Sequence, residues 1–163
     1  MALPAEAFGE ISPADLPAGR IFRFRESWAM IVCYEDESTK DFLVLGGDRS
    51  GQLFQVGSNM SRCLTVMPPF AWFAAVEEGA LPINTDHQTV VLTLAGKGPL
   101  IVGAKEGHWE DEYVAFGLDG IVDREYQPYG MALRYTQWTA ELQHRNLPYR
   151  SIGRLFSVSI APP

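Results

Sequence analysis

The chain has 163 residues, 47% of them hydrophobic and 20% charged, with a formal net charge of −7. That length suits one domain, and that apolar share is enough to offset chain entropy, so a disordered chain is excluded. The acid excess argues against a phosphate-backbone partner, which needs a basic footprint, so no nucleic acid is expected. No run approaches the roughly 20 apolar residues of a membrane-crossing helix, and no basic, apolar leader opens the chain, so no membrane is expected either. Cys33 and Cys63 are the two cysteines, each inside an apolar run and without metal-type spacing. They read as buried thiols of a reducing, cytoplasmic protein.

Residues 1–19 carry Pro4, Pro13 and Pro17 and read as an irregular arm, relieved by one helical turn capped by Ser12 with Pro13 at its first position. Strand signals follow. In Ile21-Phe-Arg-Phe-Arg25, Phe22 and Phe24 share one face and Arg23 and Arg25 the other. Trp28 to Tyr34 is apolar on both faces and belongs deeper, and Phe42 to Leu45 is its expected partner across a polar turn. Gly46 to Gly51 and Gly57-Ser58-Asn59 read as hairpin punctuation around strands at Leu53–Val56 and Arg62–Met67. The first of these loops lacks the Gly-Lys-Ser/Thr ending and following helix of a phosphate cradle.

Pro68-Pro69, the alanines inside Phe70–Glu78 and the closing Gly79 predict a helix. Thr89–Leu94 alternates as a strand, turns through Ala95–Pro99 and continues in Leu100–Val102. Gly96 and Gly98 do not make a dinucleotide loop, because Pro99 and a strand follow. Further strands are expected at Tyr113–Phe116 and Met131–Tyr135, the first ending in the turn Gly117–Gly120. Thr136 as cap, Trp138 and Leu142 four apart, the Glu141–Arg145 pair and the stop at Asn146 and Pro148 predict a second helix over 137–145. In the last strand, Leu155–Ile160, Phe156, Val158 and Ile160 face inward and Ser157 and Ser159 outward. The sum is a mainly β (α+β) protein, an antiparallel sandwich or partly open barrel with two short helices, in one globular domain over 1–163.

Charge is uneven. From Lys105 to Glu125 seven acids face two bases, a net of −5, whereas the residues after Glu125 carry four arginines and one acid, a net of +3. The densest set of functional groups is His108-Trp109-Glu110-Asp111-Glu112. On an extended strand His108, Glu110 and Glu112 would share a face, a spacing that lets them converge on a divalent metal. Trp109 and Asp111 are the matching candidates for a ligand or partner contact. His87 reads as a turn residue and His144 as a structural one, and no nucleophile elbow or catalytic triad is visible.

The leading functional reading is a non-enzymatic binding or interaction module on a β scaffold, taking a protein or small-molecule ligand and needing no cofactor. Its support is the acidic 105–125 segment and the four tryptophans, Trp28, Trp72, Trp109 and Trp138, whose alternative place is the core. The second reading is a metal-binding β-barrel or an enzyme of unknown reaction using His108, Glu110 and Glu112. A third is a homodimer that covers an exposed strand edge.

Overall fold

The structure, a computed structural model, describes residues 2–34, 39–83, 89–95, 98–105, 112–126 and 132–160. Strands make up 54% of it, in three antiparallel sheets that do not close into a barrel. In chain order the strands are β1 (Phe8–Ile11), β2 (Ile21–Phe24), β3 (Ser27–Cys33), β4 (Lys40–Val44), β5 (Leu53–Gln55), β6 (Cys63–Val66) and β7 (Phe70–Val76). They continue with β8 (Leu92–Ala95), β9 (Gly98–Lys105), β10 (Glu112–Gly117), β11 (Val122–Asp123), β12 (Leu133–Tyr135), β13 (Gln137–His144) and β14 (Gly153–Ser159). The first sheet has the order β1-β6-β2-β3-β4-β5, the second β11-β10-β9-β8-β12 and the third β14-β13-β7.

Alternation explains most of this. In β2 the rings of Phe22 and Phe24 join one apolar cluster while Arg23 is exposed and lies over the Trp28 ring. Central β3 is buried on both faces: Trp28, Met30 and Val32 pack into the main core, and Ala29 and Ile31 into a second cluster with Phe42, Val44 and Leu16. The main core is common to all three sheets. Ile21 and Leu43 come from the first sheet, Leu92, Ile101 and Phe116 from the second, and Trp72, Trp138, Leu142 and Val158 from the third. Each such side chain taken fully out of water contributes roughly 1.5–3 kcal/mol before its entropy cost.

Both predicted helices are strands. Phe70, Trp72, Ala74 and Val76 all turn to the main core, the period of two that defines β7. Trp138, Ala140 and Leu142 do the same in β13, which pairs with β7 on one side and β14 on the other. Gly79 (φ +79°) sits in a turn closed by the Ala80 N–H on the Glu77 carbonyl, 3.0 Å, rather than at a helix end. Among the described residues the helical elements are two 3-10 turns, Ala5–Ala7 and Pro13–Asp15. Ser12 and Pro13 open the second as expected, although the Ser12 hydroxyl donates to the Met60 carbonyl at 2.9 Å instead of capping.

The N-terminal segment is more regular than its prolines suggest. Phe8 to Ile11 pair in register with Val66 to Cys63. That pairing also removes the hairpin expected across Gly57–Asn59, because β6 bonds to β1 and β2 and not to β5. The hairpins β3–β4, β4–β5 and β8–β9 form as expected, and the turn expected at Gly117–Gly120 leads into a short partner strand, β11, that the sequence did not announce. The strand expected from Thr89 begins only at Leu92, since Val90 holds φ +59°. No described helix is long and apolar enough to cross a membrane.

Candidate functional site

The three sheets meet at one turn. Gly19 (φ +86°) precedes β2, and its N–H donates to the Ile31 carbonyl at 2.8 Å. Its own carbonyl accepts the Trp72 Nε1–H at 2.9 Å, which ties the third sheet to the first. Gly120 (φ +77°) presses against the same turn from the second sheet, and its carbonyl accepts the Cys33 N–H at 2.8 Å. A Cβ at Gly120 would lie 2.3 Å from the Gly19 nitrogen and 2.4 Å from the Ile31 oxygen, so only glycine permits this approach.

Around that junction lies a cleft of about 270 Å³. Its walls are the Ala18–Ile21 turn, Val66 with the Pro68–Trp72 segment, the Leu118–Asp119 turn and Arg145 just beyond β13. Pro68 and Pro69 are joined by a cis peptide bond. Each charged group arrives from a different element. Arg20 Nη1 donates to the Val66 carbonyl at 3.0 Å, which fixes the guanidinium at the end of β6. The Arg145 backbone N–H donates to the Pro69 carbonyl at 2.8 Å, which sets that arginine beside the Phe70 wall. Asp119 Oδ1 accepts the Ile121 N–H at 3.0 Å and holds its own turn. Phe70 is half-buried, with its ring edge-on to His144 at 5.4 Å, and Trp72 is buried.

Two arginines against one aspartate give the lining a net charge of +1 in a chain of net −7. A guanidinium carries five donors in a planar fork that matches a carboxylate or phosphate, and the Val66 contact uses one of those of Arg20. The described lining combines two arginines and the Asp119 carboxylate with an apolar wall, an arrangement that suits holding a small anion. Its volume falls just below the roughly 300–1,000 Å³ of drug-sized ligand sites, which limits the occupant to a small molecule.

A second cleft, of about 320 Å³, lies between the β2–β3 and β4–β5 turns. There Arg25 and Arg49 are balanced by Glu26 and Asp48, and the two guanidiniums lie over the rings of Phe24 and Phe54, at 5.4 and 5.7 Å. They are engaged on aromatic faces and leave little net charge for a ligand.

Of the residues singled out in the sequence, His108, Trp109, Glu110 and Asp111 lie outside the described residues, as does His87. Glu112 opens β10 opposite Lys105. Among the described residues no group of three His, Cys, Asp or Glu side chains is placed to hold a metal ion. His144 ends β13, and its Nδ1 accepts the Asn146 N–H at 3.1 Å, a structural role. Trp28, Trp72 and Trp138 are core residues, with the Trp138 Nε1–H donated to the Val90 carbonyl at 2.8 Å. Cys33 is buried, but Cys63 is half-exposed, and its Sγ lies 3.4 Å from the Ser61 carbonyl. Burial by its neighbours still pushes the Cys63 thiol pKa up.

Arg20, Asp119, Arg145 and Gly19 carried no sequence signal of a site. The Gly117–Gly120 turn was visible as a turn, but its meeting with Gly19 and Trp72 depends on contacts between residues 53 or more apart in the chain. Comparison with protein-family models, with curated proteins and with solved structures gives no match. Geometry alone carries the functional reading.

Proposed function

We propose that the protein is a non-catalytic binding module that holds a small carboxylate with an apolar body in the cleft at the sheet junction. The observation that carries this is the placement of Arg20 and Arg145, from separate elements, on a cleft also walled by Phe70 and Trp72. The fork of one or both arginines takes the carboxylate, and the rings with Ile21, Val66 and Leu118 take the body. A polyphosphate is disfavoured by the net charge of −7, whereas a single carboxylate is repelled less and needs only the local field. The reducing cytoplasm is the compartment we assign, on the strength of two thiols that form no disulfide.

Isothermal calorimetry with benzoate and, separately, inorganic phosphate tests this. Benzoate is expected to bind with a dissociation constant of about 1 mM or tighter, and more tightly than phosphate. Arg145→Ala and Arg20→Ala are each expected to weaken it about tenfold or more, the usual loss of a charge-assisted hydrogen bond. Absence of benzoate binding, or binding unchanged in both variants, would refute the assignment.

A further inference from the structure

We infer that the face bearing this cleft pairs two copies of the chain across a two-fold axis, with the loop between β13 and β14 of each copy seated on the β10–β11 turn of the other. The inference shares Arg145 and Asp119 with the ligand reading but rests mainly on Leu147, Tyr149, Arg150, Ile121 and Glu125, which lie outside the cleft lining. The loop is built for contact. Residues 145–151 are all exposed, Leu147 at 51% and Tyr149 at 80%. It carries Arg145 and Arg150, with Arg154 in the strand that follows, and no acid. Tyrosine and arginine are the residue types that most often dominate the binding energy of an interface.

The loop is also shaped before contact. The Leu147 N–H donates to the His144 carbonyl at 2.9 Å and the Arg150 N–H to the Leu147 carbonyl at 3.3 Å. Gln143 Oε1 accepts the Tyr149 N–H, and the Tyr149 ring meets Phe73 edge-on at 6.0 Å. Tyr149 holds φ +63°, an unfavourable conformation for a bulky residue that these contacts maintain. A loop already fixed in one shape loses little entropy on binding.

The complementary surface lies on the same face. Asp119 and Arg145 line one cleft, so the β10–β11 turn and the start of the β13–β14 loop both border it. The turn carries Asp119 and the 45% exposed Ile121, and the chain beyond it adds Asp123 at the end of β11 and Glu125 just after, against Arg124. Basic-plus-apolar beside acidic-plus-apolar is self-complementary under a two-fold rotation, which brings each patch against its opposite twice. An extended polyanion such as nucleic acid or an anionic membrane would meet the repulsion of a chain with 20 acids and 13 bases, whereas a compact acidic turn on a second copy would not meet it over so wide a surface.

Charge reversal with reciprocal rescue tests the pairing. Light scattering on the wild type at about 0.15 M salt, where screening leaves short-range contacts dominant, should give twice the 18.1 kDa of one chain. Arg150→Glu alone and Glu125→Arg alone should each weaken the dimer about a hundredfold, because like charges then face each other at both contacts. An equimolar mixture of the two variants should regain the dimer, since each reversed patch now meets an oppositely reversed one. Tyr149→Ala should also weaken it, and near-unchanged thermal melting will show that all three variants fold. A wild type that is monomeric at its highest soluble concentration overturns the inference, as does a dimer indifferent to these substitutions or a mixture that does not recover. Arg150, Glu125 and Tyr149 do not line the cleft, so benzoate binding stands or falls separately.

Discussion

Val90 shows how a single residue is held against its own preference. It is fully buried at φ +59°, where a β-branched side chain is crowded by its own backbone. Its N–H reaches the Val102 carbonyl at 2.6 Å and its carbonyl accepts the Trp138 indole at 2.8 Å, so two hydrogen bonds keep it there. Trp138→Phe leaves that carbonyl without its donor in a dry core, and urea denaturation should show a loss of about 1–3 kcal/mol, plus a contribution from lost volume. The two cysteines should separate under a thiol reagent, Cys63 reacting measurably in the native state and Cys33, 4% exposed, far more slowly. Because burial raises the Cys63 thiol, its labelling rate should reach half-maximum above the usual thiol pKa. The linked effect on stability has a definite sign: the thiol form favours the folded state. Its contribution is fully present below the unfolded-state pKa and is lost as pH rises through the higher folded-state value. Of these features the burial of Cys33 was readable from its apolar neighbours. The partner of Trp138 was not, because it lies 48 residues away.

At the level of elements, β7 and β13 explain where sequence reading succeeds and where it fails. Phe70-Ala-Trp-Phe-Ala-Ala-Val76 carries proline before it and glycine after it, and those punctuation marks outweighed the period of two in Phe70, Trp72, Ala74 and Val76. In Gln137–His144 the alternation is plainer still, yet a cap, an acid-base pair and a stop imitate a helix. What decides the matter is tertiary: β13 is the centre of a three-stranded sheet and bonds to β7 and β14 along its length. Strands such as β2, β3 and β14 were legible because nothing in them competes with alternation. Thr139→Pro removes a ladder donor from that central strand, so the variant should fail to fold or lose several kcal/mol, whereas a helix would lose only a turn at one end. Far-ultraviolet circular dichroism of the wild type should show strand and turn signals, and a helix content near one third would contradict both assignments.

The molecule as a whole depends on the junction where Gly19, Gly120 and Trp72 bring three sheets onto one core. Gly120→Ala places a methyl group on the Gly19 nitrogen and the Ile31 oxygen at a positive φ, and should cost more than about 1 kcal/mol in thermal or denaturant unfolding. The same substitution should also weaken ligand binding, because it displaces the turn that carries Asp119 into the cleft wall. None of this was legible in the sequence: glycine in a Leu-Asp-Gly turn announces the turn and not what it packs against. The cleft exists only because the sheets converge, and its use is most directly tested by a nuclear magnetic resonance titration of the wild type with benzoate. Saturable shifts are expected at Gly19, Arg20, Ala71, Trp72, Leu118 and the Trp72 indole N–H, while the separate Arg25–Arg49 cleft stays unchanged. Shifts absent at saturating benzoate, or centred on the second cleft, would contradict it.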